Sequence, residues 1–288
     1  MAKDTFLNRK VTLNLKGELF DLSKPCVMGI LNLTPDSFYG NSRMGTVDQA
    51  LERAEVCLKE GAAFIDIGAY SSRPGADEVT TDEELRRIIP AVEAISKRLP
   101  EARLSIDTFR AKVARESIEA GAHVVNDISG GNLDEGMLET VASLNVPYVL
   151  MHMQGTPKNM QQNPAYRNIG LEVVNYFEEK LNVLRQLGVK DIILDPGFGF
   201  AKTTDHNYEL MQQMGQMDLF GLPVLVGISR KSMIYKVLGN GPEEALNGTT
   251  VLNTIALQKG ASILRVHDVK AATECIALVE KVQTQYMP

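Results

Sequence analysis

The 288 residues include 36 acidic and 30 basic side chains, a net charge of −6 at neutral pH, and 44% of them are hydrophobic. This balance argues against a nucleic-acid-binding surface, which needs a basic face, and no run reaches the ~18 apolar residues of a membrane span. The three cysteines are odd in number and far apart, which favours reduced thiols and a cytoplasmic location. We expect one domain over residues 1–288, with neither a nucleic-acid nor a membrane partner.

The chain begins with an alternating pattern and continues with a strand–loop–helix unit. Residues 11–22 alternate around a glycine turn, which predicts a small hairpin that covers the floor of the main fold. A buried-strand pattern at 26–31 then ends at Asn32. After a polar loop, one face of the segment 47–58 is apolar at helical spacing.

The same unit recurs along the rest of the chain. Apolar runs predict further strands at 64–68, 104–106, 123–125, 148–151, 192–194, 223–228 and 263–264. Helical patterns follow each of them; Thr81 to Glu84 is predicted to form a capping box, and a helix is predicted over 243–259. Strands that alternate with helices, without an amphipathic edge strand, fit a closed (β/α)8 TIM barrel better than an open doubly wound sheet.

Polar residues follow almost every predicted strand, and in a barrel the carboxyl ends of the strands meet at one mouth. The residues collected there are Asn32, Asp66, Asp107, Asn126, Asp127, His152, Asp195, Arg230, Lys231, Arg265 and His267. Independent turn caps would not be expected to give this set of carboxylates, amides and cations. We therefore expect the mouth to be the functional site.

The two halves of this rim favour different ligand groups. The half from the first, second and eighth strands holds anion-binding residues: Asn32, Ser71, Ser72, Arg73, Arg265 and His267. Arginine offers a planar fork to phosphoryl oxygens, so this half predicts a phosphate or diphosphate pocket. The opposite half combines carboxylates, an amide and an ammonium group: Asp107, Asn126, Asp195 and Lys231. That combination suits a flat heterocycle with both donors and acceptors.

Simpler explanations remain open for several of these residues. Asp195 precedes a proline and could merely cap a turn. Arg265 could form a salt bridge to Asp268 or to a neighbouring strand, and His267 could be a core histidine whose hydrogen bonds are satisfied. Asp66 is interpreted as structural, pairing inside the barrel.

The sequence offers little support for covalent or dinucleotide chemistry. It lacks the metal-ligand spacing of Cys and His, a dinucleotide-binding fingerprint, a Walker loop and a nucleophile elbow. Lys231 could form a Schiff base in principle. Its position just beyond Ser229 and Arg230 favours contact with a ligand oxygen instead.

Several of these segments together resemble the dihydropteroate synthase family of folate biosynthesis, over nearly all of the chain after about Val27. The resemblance is carried by 28–38 (MGILNLTPDSF), 71–76 (SSRPGA), 106–108 (IDT), 126–128 (NDI), 194–200 (LDPGFGF), 229–232 (SRKS) and 265–268 (RVHD). It implies condensation of 4-aminobenzoate with (7,8-dihydropterin-6-yl)methyl diphosphate to give 7,8-dihydropteroate and diphosphate, with Mg²⁺ assisting. It also implies that diphosphate leaves first, and that the protein is a sulfonamide target.

The resemblance also implies roles for individual residues. Pterin contacts are implied for Asp107, Asn126, Met151, Asp195, Phe200, Gly227, Lys231 and Arg265. Diphosphate contacts are implied for Asn32, Ser71, Ser72, Arg265 and His267, and Asn32 would also face the metal. The aminobenzoate pocket and its loops would include Asp36, Phe38, Ser72, Arg73, Pro74 and Ser232. Asp107, Lys231 and Arg265 are the implied catalytic residues.

The chain departs from the family pattern in the second loop. Ala69-Tyr70 stands where the family usually has Gly-Glu, and Ser72 replaces a threonine. The hydroxyl at position 72 is kept, so catalysis should be kept too. Ala201 stands where a glycine is usual, which is a smaller departure.

Two alternatives to the synthase remain open. A pterin-dependent methyltransferase domain would share the barrel and the pterin-binding residues but needs no diphosphate site. A non-catalytic pterin-binding relative would keep the pocket without the reaction. The loops around Phe38 and 72–74, together with 265–267, argue against both. By analogy with the fold, apolar residues around 233–257 predict a homodimer.

Overall fold

The structure is a computed structural model that describes these parts of the chain: 10–33, 43–70, 79–155 and 164–284. Its first element is the predicted hairpin, formed by β1 (Thr12–Leu15) and β2 (Glu18–Asp21) in antiparallel register. Lys16 and Gly17 make the turn at φ values of 54° and 98°, the left-handed backbone that a two-residue hairpin turn requires.

A parallel eight-stranded sheet follows the hairpin. Its strands are β3 (Cys26–Asn32), β4 (Phe64–Gly68), β5 (Leu104–Asp107), β6 (Val124–Asp127), β7 (Tyr148–Met151), β8 (Ile192–Asp195), β9 (Leu225–Val226) and β10 (Ile263–Val266). The strand order is β8-β7-β6-β5-β4-β3-β10-β9. A parallel bridge between Leu194 and Val224 joins the two ends of this order. The predicted (β/α)8 barrel is confirmed.

Helices separate the strands and surround the sheet. They are α1 (Arg43–Lys59), α2 (Thr81–Arg98), α3 (Ala111–Glu119), α4 (Met137–Leu144), α5 (Ile169–Gln186), α6 (Thr204–Gln213), α7 (Ser232–Leu238), α8 (Leu246–Gln258) and α9 (Val269–Thr284). Short 3₁₀ helices at Met214–Phe220 and Pro242–Glu244 precede β9 and α8. In the described part of the chain, no helix is long and apolar enough to cross a membrane.

The barrel interior is apolar at one end and polar at the other. The apolar end, with the hairpin, forms a floor cluster: Leu13, Leu15, Leu22, Met28, Phe64, Val124, Val149, Ile193, Leu225 and Ile263. The hairpin therefore covers the barrel floor, as predicted. Side chains on one face of a strand repeat every two residues. The next inward positions are Asp66, Asn126, Met151, Asp195, Gly227 and Arg265.

The start of α2 differs from the prediction. The N-cap is Thr80 rather than Thr81, and its Oγ1 accepts a hydrogen bond from Glu83 N at 3.2 Å. Glu84, the expected partner in the capping box, is fully buried and pairs with Thr108 and Arg110. Because Glu84 pairs with residues that directly follow β5, it does not take part in the helix cap.

Two further elements are shorter than predicted. The strand expected over 223–228 has only Leu225 and Val226 in the ladder, and Pro223 before it has no N–H to contribute. The helix expected over 243–259 begins at Leu246, because the Pro242–Glu244 turn is a separate 3₁₀ helix.

Candidate active site

Asp66 lies at the centre of the barrel mouth and has no exposed surface. Its Oδ2 accepts hydrogen bonds from Asn126 Nδ2 at 3.0 Å and from Arg265 Nε at 2.6 Å. Its Oδ1 is buried without a hydrogen-bond partner in the described part of the chain. The interpretation that Asp66 pairs inside the barrel is confirmed. The sequence did not indicate that its partners would be two of the predicted pterin residues.

Asp107 ends β5 and is held from two sides. Its Oδ2 accepts from Arg265 Nη2 at 2.5 Å, and its Oδ1 accepts from the Tyr70 hydroxyl at 2.9 Å. Burial raises the pKa of Asp107 to about 6, although the charge of Arg265 opposes that rise. Arg265 thus forms salt bridges to β4 and β5, neither of which is next to β10 in the sheet. The alternative that it pairs with Asp268 or with a neighbouring strand was therefore right about a salt bridge but wrong about the partner.

Arg265 keeps its charge in this setting. Burial alone would lower its pKa, but the carboxylates of Asp66 and Asp107 outweigh burial and shift the pKa upward. The guanidinium group is therefore a permanent cation at the mouth, and its remaining N–H groups are available to a ligand anion.

Asp195 ends β8 on the same inward face. Its Oδ1 accepts a hydrogen bond from Gly197 N at 2.7 Å, so it does cap the turn that follows. A carboxylate has lone pairs on two oxygens, so capping a turn and binding a ligand are compatible. Burial raises the pKa of Asp195, and the positive charge of Lys231 opposes that rise.

Lys231 reaches from the loop after β9 to the loop after β8. Its Nζ donates to Phe198 O at 2.6 Å and lies 4.6 Å from the ring centroid of Phe200. Burial lowers the pKa of Lys231 to about 8, while the charge of Asp195 acts in the opposite direction. The ammonium group therefore loses its proton only above neutral pH.

An apolar wall lies beside these charged groups. It consists of Ile128, Met151, Met153 and Ala201, with Tyr70, Phe109, Leu133 and Phe200 packed against them. Met151 and Phe200 were predicted pocket residues, and Ile128 was not. The signal for Ile128 was present, because it follows Asn126 by two residues and strand faces repeat with that period.

Gly227 leaves room between two cations of the site. A Cβ atom added there would lie 3.8 Å from Arg265 Cβ and 3.9 Å from Lys231 Nζ. A larger side chain would enter the space between them. The position thus fits the predicted lining of a flat-ring pocket.

Of the predicted diphosphate residues, Asn32, Arg265 and His267 lie on or directly after two neighbouring strands, β3 and β10. Asn32 ends β3, which pairs with β4 on one side and with β10 on the other. His267 follows β10, and its Nδ1 lies 3.1 Å from Ser229 Oγ. Burial and the charge of Arg265 lower the pKa of His267 to about 4. The imidazole is therefore neutral near pH 7 and has a satisfied ring nitrogen, as the simpler explanation proposed.

Asp127 does not belong to the mouth, contrary to the prediction. It follows Asn126 directly, so its side chain lies on the opposite face of β6. Its oxygens accept from Ser129 N and Gly131 N, each at 2.7 Å, and from the Tyr148 hydroxyl at 2.8 Å. Asp127 is a buried cap of the following turn.

His152 and Arg230 also have structural partners. His152 is buried with its Nδ1 3.1 Å from Lys202 Nζ, and burial together with the Lys202 charge keeps the pKa of His152 well below its usual value. Arg230 donates to both carboxylate oxygens of Asp268 at 2.8 and 2.9 Å. The salt bridge to Asp268 that was considered for Arg265 is made by Arg230 instead.

Of the remaining predicted site residues, all but Ser232 fall in parts of the chain that the structure does not describe. Asp36, Phe38, Ser71, Ser72, Arg73 and Pro74 lie outside the described residues. Ser232 begins α7 and faces a polar cleft of about 310 Å³. The cleft is lined by Pro164, Lys202, Thr203, Thr204, Asn207, Ser232 and Lys236.

Comparison with known proteins identifies the family of this chain. The profile of the pterin-binding enzyme family matches residues 28–267. A dihydropteroate synthase from Escherichia coli (strain K12) is 46% identical over 267 residues, which cover 92% of this chain and 94% of that protein. The chain belongs to the dihydropteroate synthase family.

Solved structures of dihydropteroate synthases share the fold closely. The Yersinia pestis dihydropteroate synthase in complex with a sulfonamide drug is 44% identical with a TM-score of 0.89, covering 95% of this chain and 99% of that one. The Xanthomonas albilineans dihydropteroate synthase with 4-aminobenzoic acid is 37% identical with a TM-score of 0.89, covering 96% and 99%. These relatives favour the synthase over the methyltransferase alternative.

Proposed function

We propose that this protein condenses (7,8-dihydropterin-6-yl)methyl diphosphate with 4-aminobenzoate to give 7,8-dihydropteroate and diphosphate. The observation that carries the proposal is the connected cluster of Asp66, Asp107, Asn126 and Arg265 at the mouth of the barrel. It occurs in a chain 46% identical over most of its length to a dihydropteroate synthase. A related structure holds 4-aminobenzoic acid, the second substrate of this reaction.

The acidic and amide groups suit the pterin ring. Asp195 and Asn126 lie on inward positions of β8 and β6, where a carboxylate accepts from the amino-pyrimidine edge and an amide both donates and accepts. Met151, Phe200 and Gly227 leave an apolar slot for the flat ring. Lys231 is placed to donate to a ring oxygen or nitrogen.

The reaction needs no nucleophilic side chain. The bond between the methylene carbon and the diphosphate oxygen breaks, and its electron pair leaves with diphosphate. The aniline nitrogen then forms the new C–N bond and loses a proton to solvent. Asp107 stabilises the cationic methylene, while Arg265 and His267 bind the departing diphosphate, which is electrostatic preorganisation.

We infer that Mg²⁺ assists this departure. Within the described residues, no group of three His, Cys, Asp or Glu side chains could hold a metal. The donor set still fits Mg²⁺, because this ion is commonly bound by one or two protein oxygens together with substrate phosphates. Asn32, at the end of β3, would supply the protein oxygen. When bound, the ion would neutralise charge on the diphosphate.

We also propose that the protein is a homodimer in a reducing cytoplasm. Helices α7 to α9 expose apolar side chains, including Val237, Leu238, Val251, Leu278 and Val282. A groove of about 370 Å³ between α8 and α9 adds apolar surface to this face. Such a surface is typical of an interface between subunits. The three cysteines are free thiols in the structure, and free thiols are consistent with the reducing compartment proposed here.

One assay tests the proposed function. Purified protein is incubated with the pterin diphosphate, 4-aminobenzoate and Mg²⁺, and dihydropteroate and diphosphate are measured by chromatography. We expect both products in equal amounts, and neither when one substrate is left out. Binding of the pterin without product would instead indicate the non-catalytic relative, and methyl transfer from a methyl-tetrahydrofolate would indicate the methyltransferase.

A further inference from the structure

Tyr70 makes a contact at the site that the reaction described above does not use. It follows β4 by two residues, and its hydroxyl donates to Asp107 Oδ1 at 2.9 Å. The other carboxylate oxygen of Asp107 accepts from Arg265 at 2.5 Å. The two oxygens of Asp107 therefore have separate donors, one from each side of the carboxylate.

The Tyr70 ring is held in place by its surroundings. It packs edge-on against Phe109, with the ring centroids 5.0 Å apart and an interplanar angle of 81°. The carbonyl of the preceding residue, Ala69, accepts from Arg87 on α2 at 3.1 Å. Arg87 in turn donates to Glu83 at 2.7 Å. The phenol is thus anchored by both backbone and ring contacts before any ligand binds.

The phenol is a permanent hydrogen-bond donor. Burial and the nearby charge of Asp107 raise the pKa of Tyr70 well above its usual value, so the hydroxyl keeps its proton. A donor favours the ionised form of the carboxylate that accepts from it. The other charged groups around Asp107 are Arg265 and Lys231, which favour ionisation, and Asp66 and Glu84, which oppose it.

We propose that Tyr70 is a positioning residue for the reaction, whose hydroxyl holds Asp107 as an oriented carboxylate facing the pterin methylene. This inference rests on the proposed function. It concerns a contact that the proposed reaction does not itself require, between the Tyr70 hydroxyl and Asp107 Oδ1. Tyr70 acts through Asp107 and touches no reacting atom.

The test is the pH profile of kcat/KM, which reports groups of the free enzyme, for Tyr70→Phe, which removes the hydroxyl and keeps the ring. Loss of a hydrogen bond to a charged group corresponds to a shift of about one pH unit or more. We expect the acid limb, near pH 6 for Asp107 in the unaltered protein, to move up by about one unit. That shift lowers kcat/KM roughly fivefold at pH 6 and only slightly at pH 8.

Tyr148→Phe is the matched control. The Tyr148 hydroxyl donates to the buried carboxylate of Asp127 at 2.8 Å, away from the mouth. This variant loses the same kind of buried bond, so it should lower the melting temperature without moving the acid limb. A second variant, Tyr70→Met, also removes the hydroxyl but fills the space with a flexible apolar side chain, and it should shift the acid limb in the same direction as Tyr70→Phe.

The outcomes separate this inference from the proposed function. If the unaltered protein forms no dihydropteroate, the proposed function fails. If it does, and a folded Tyr70→Phe protein has the acid limb of the unaltered protein, only the role of Tyr70 is overturned. Should Tyr70→Phe not fold, Tyr70→Met decides, because it also lacks the hydroxyl: an unshifted acid limb together with a large loss of kcat/KM at every pH indicates a purely structural residue and overturns the proposal.

Discussion

Charge balance at the mouth depends on a single guanidinium group. Arg265 pairs with Asp66 and Asp107, and both carboxylates lie where water is largely excluded. A buried carboxylate left without its partner costs several kcal/mol. Arg265 is also the group proposed to bind the leaving diphosphate, so its replacement would disturb both halves of the site.

Asp195 gives the sharpest prediction for ligand binding. Asp195→Asn removes the negative charge that is proposed to accept from the pterin, so we expect the affinity of the protein for the pterin diphosphate to fall about 100-fold by calorimetry. Asp191→Asn is the control, because Asp191 lies at the other end of β8 and pairs with Lys10 at 2.8 Å. Equal affinity of Asp195→Asn and the unaltered protein would reject the assignment.

The pKa of Lys231 leads to a prediction for how kcat/KM changes on the alkaline side of its pH profile. Its pKa is lowered to about 8 by burial, so the ammonium group is charged below that pH and neutral above it. If its charge is needed, kcat/KM declines as pH rises through about 8. Lys231→Arg keeps a cation at all accessible pH values and should remove this decline, at lower overall activity. A decline that remains in Lys231→Arg would assign the limb to another group.

At the scale of elements, the turn after β8 contains a glycine, Gly197, whose backbone packs directly against the backbone of His152. Gly197 has φ of 70°, and a Cβ atom there would lie 2.0 Å from the carbonyl oxygen of His152. The nearby Lys202 Nζ donates to Gly197 O at 2.9 Å and to Phe200 O at 3.1 Å. These contacts place the Phe200 ring beside Lys231.

Gly197→Ala should therefore destabilise the fold by more than the backbone strain alone. Gly188→Ala is the control, because Gly188 has φ of 82° but nothing within 4 Å of an added Cβ atom. We expect about 1 kcal/mol for Gly188→Ala and at least ~2 kcal/mol more for Gly197→Ala in urea unfolding. Equal losses of unfolding free energy in the two variants would mean that the His152 backbone moves to accommodate the added methyl group, and would contradict this prediction.

At the scale of the whole molecule, the exposed apolar face of α7 to α9 predicts the oligomeric state. Leu278 on α9 is 71% exposed, and Leu278→Glu would place a charge inside the proposed interface. We expect the unaltered protein to sediment as a dimer and this variant as a monomer. Leu19→Glu, on the hairpin that covers the barrel floor and also 71% exposed, should remain dimeric. A monomeric unaltered protein would reject the homodimer.

The sequence by itself determined the order of strands and helices and the residues that end each strand. Apolar runs followed by a polar residue are local patterns, so β3 to β8 and β10 could be predicted closely. Even β9, where only Leu225 and Val226 join the ladder, was found in the correct place. The motifs also predicted the family, because they are read residue by residue along the chain.

Tertiary structure decided which polar residues meet. Asp66 contacts Asn126 and Arg265, which lie 60 and 199 residues away, and such pairs depend on closure of the barrel. The separation of Asp127 from Asn126 is a different case, because the alternation of faces along a strand is a local pattern that the sequence already contains. The contact between Tyr70 and Asp107 depends on the ring packing against Phe109. Local patterns carry no information on such contacts, because they form only when distant strands share one interior.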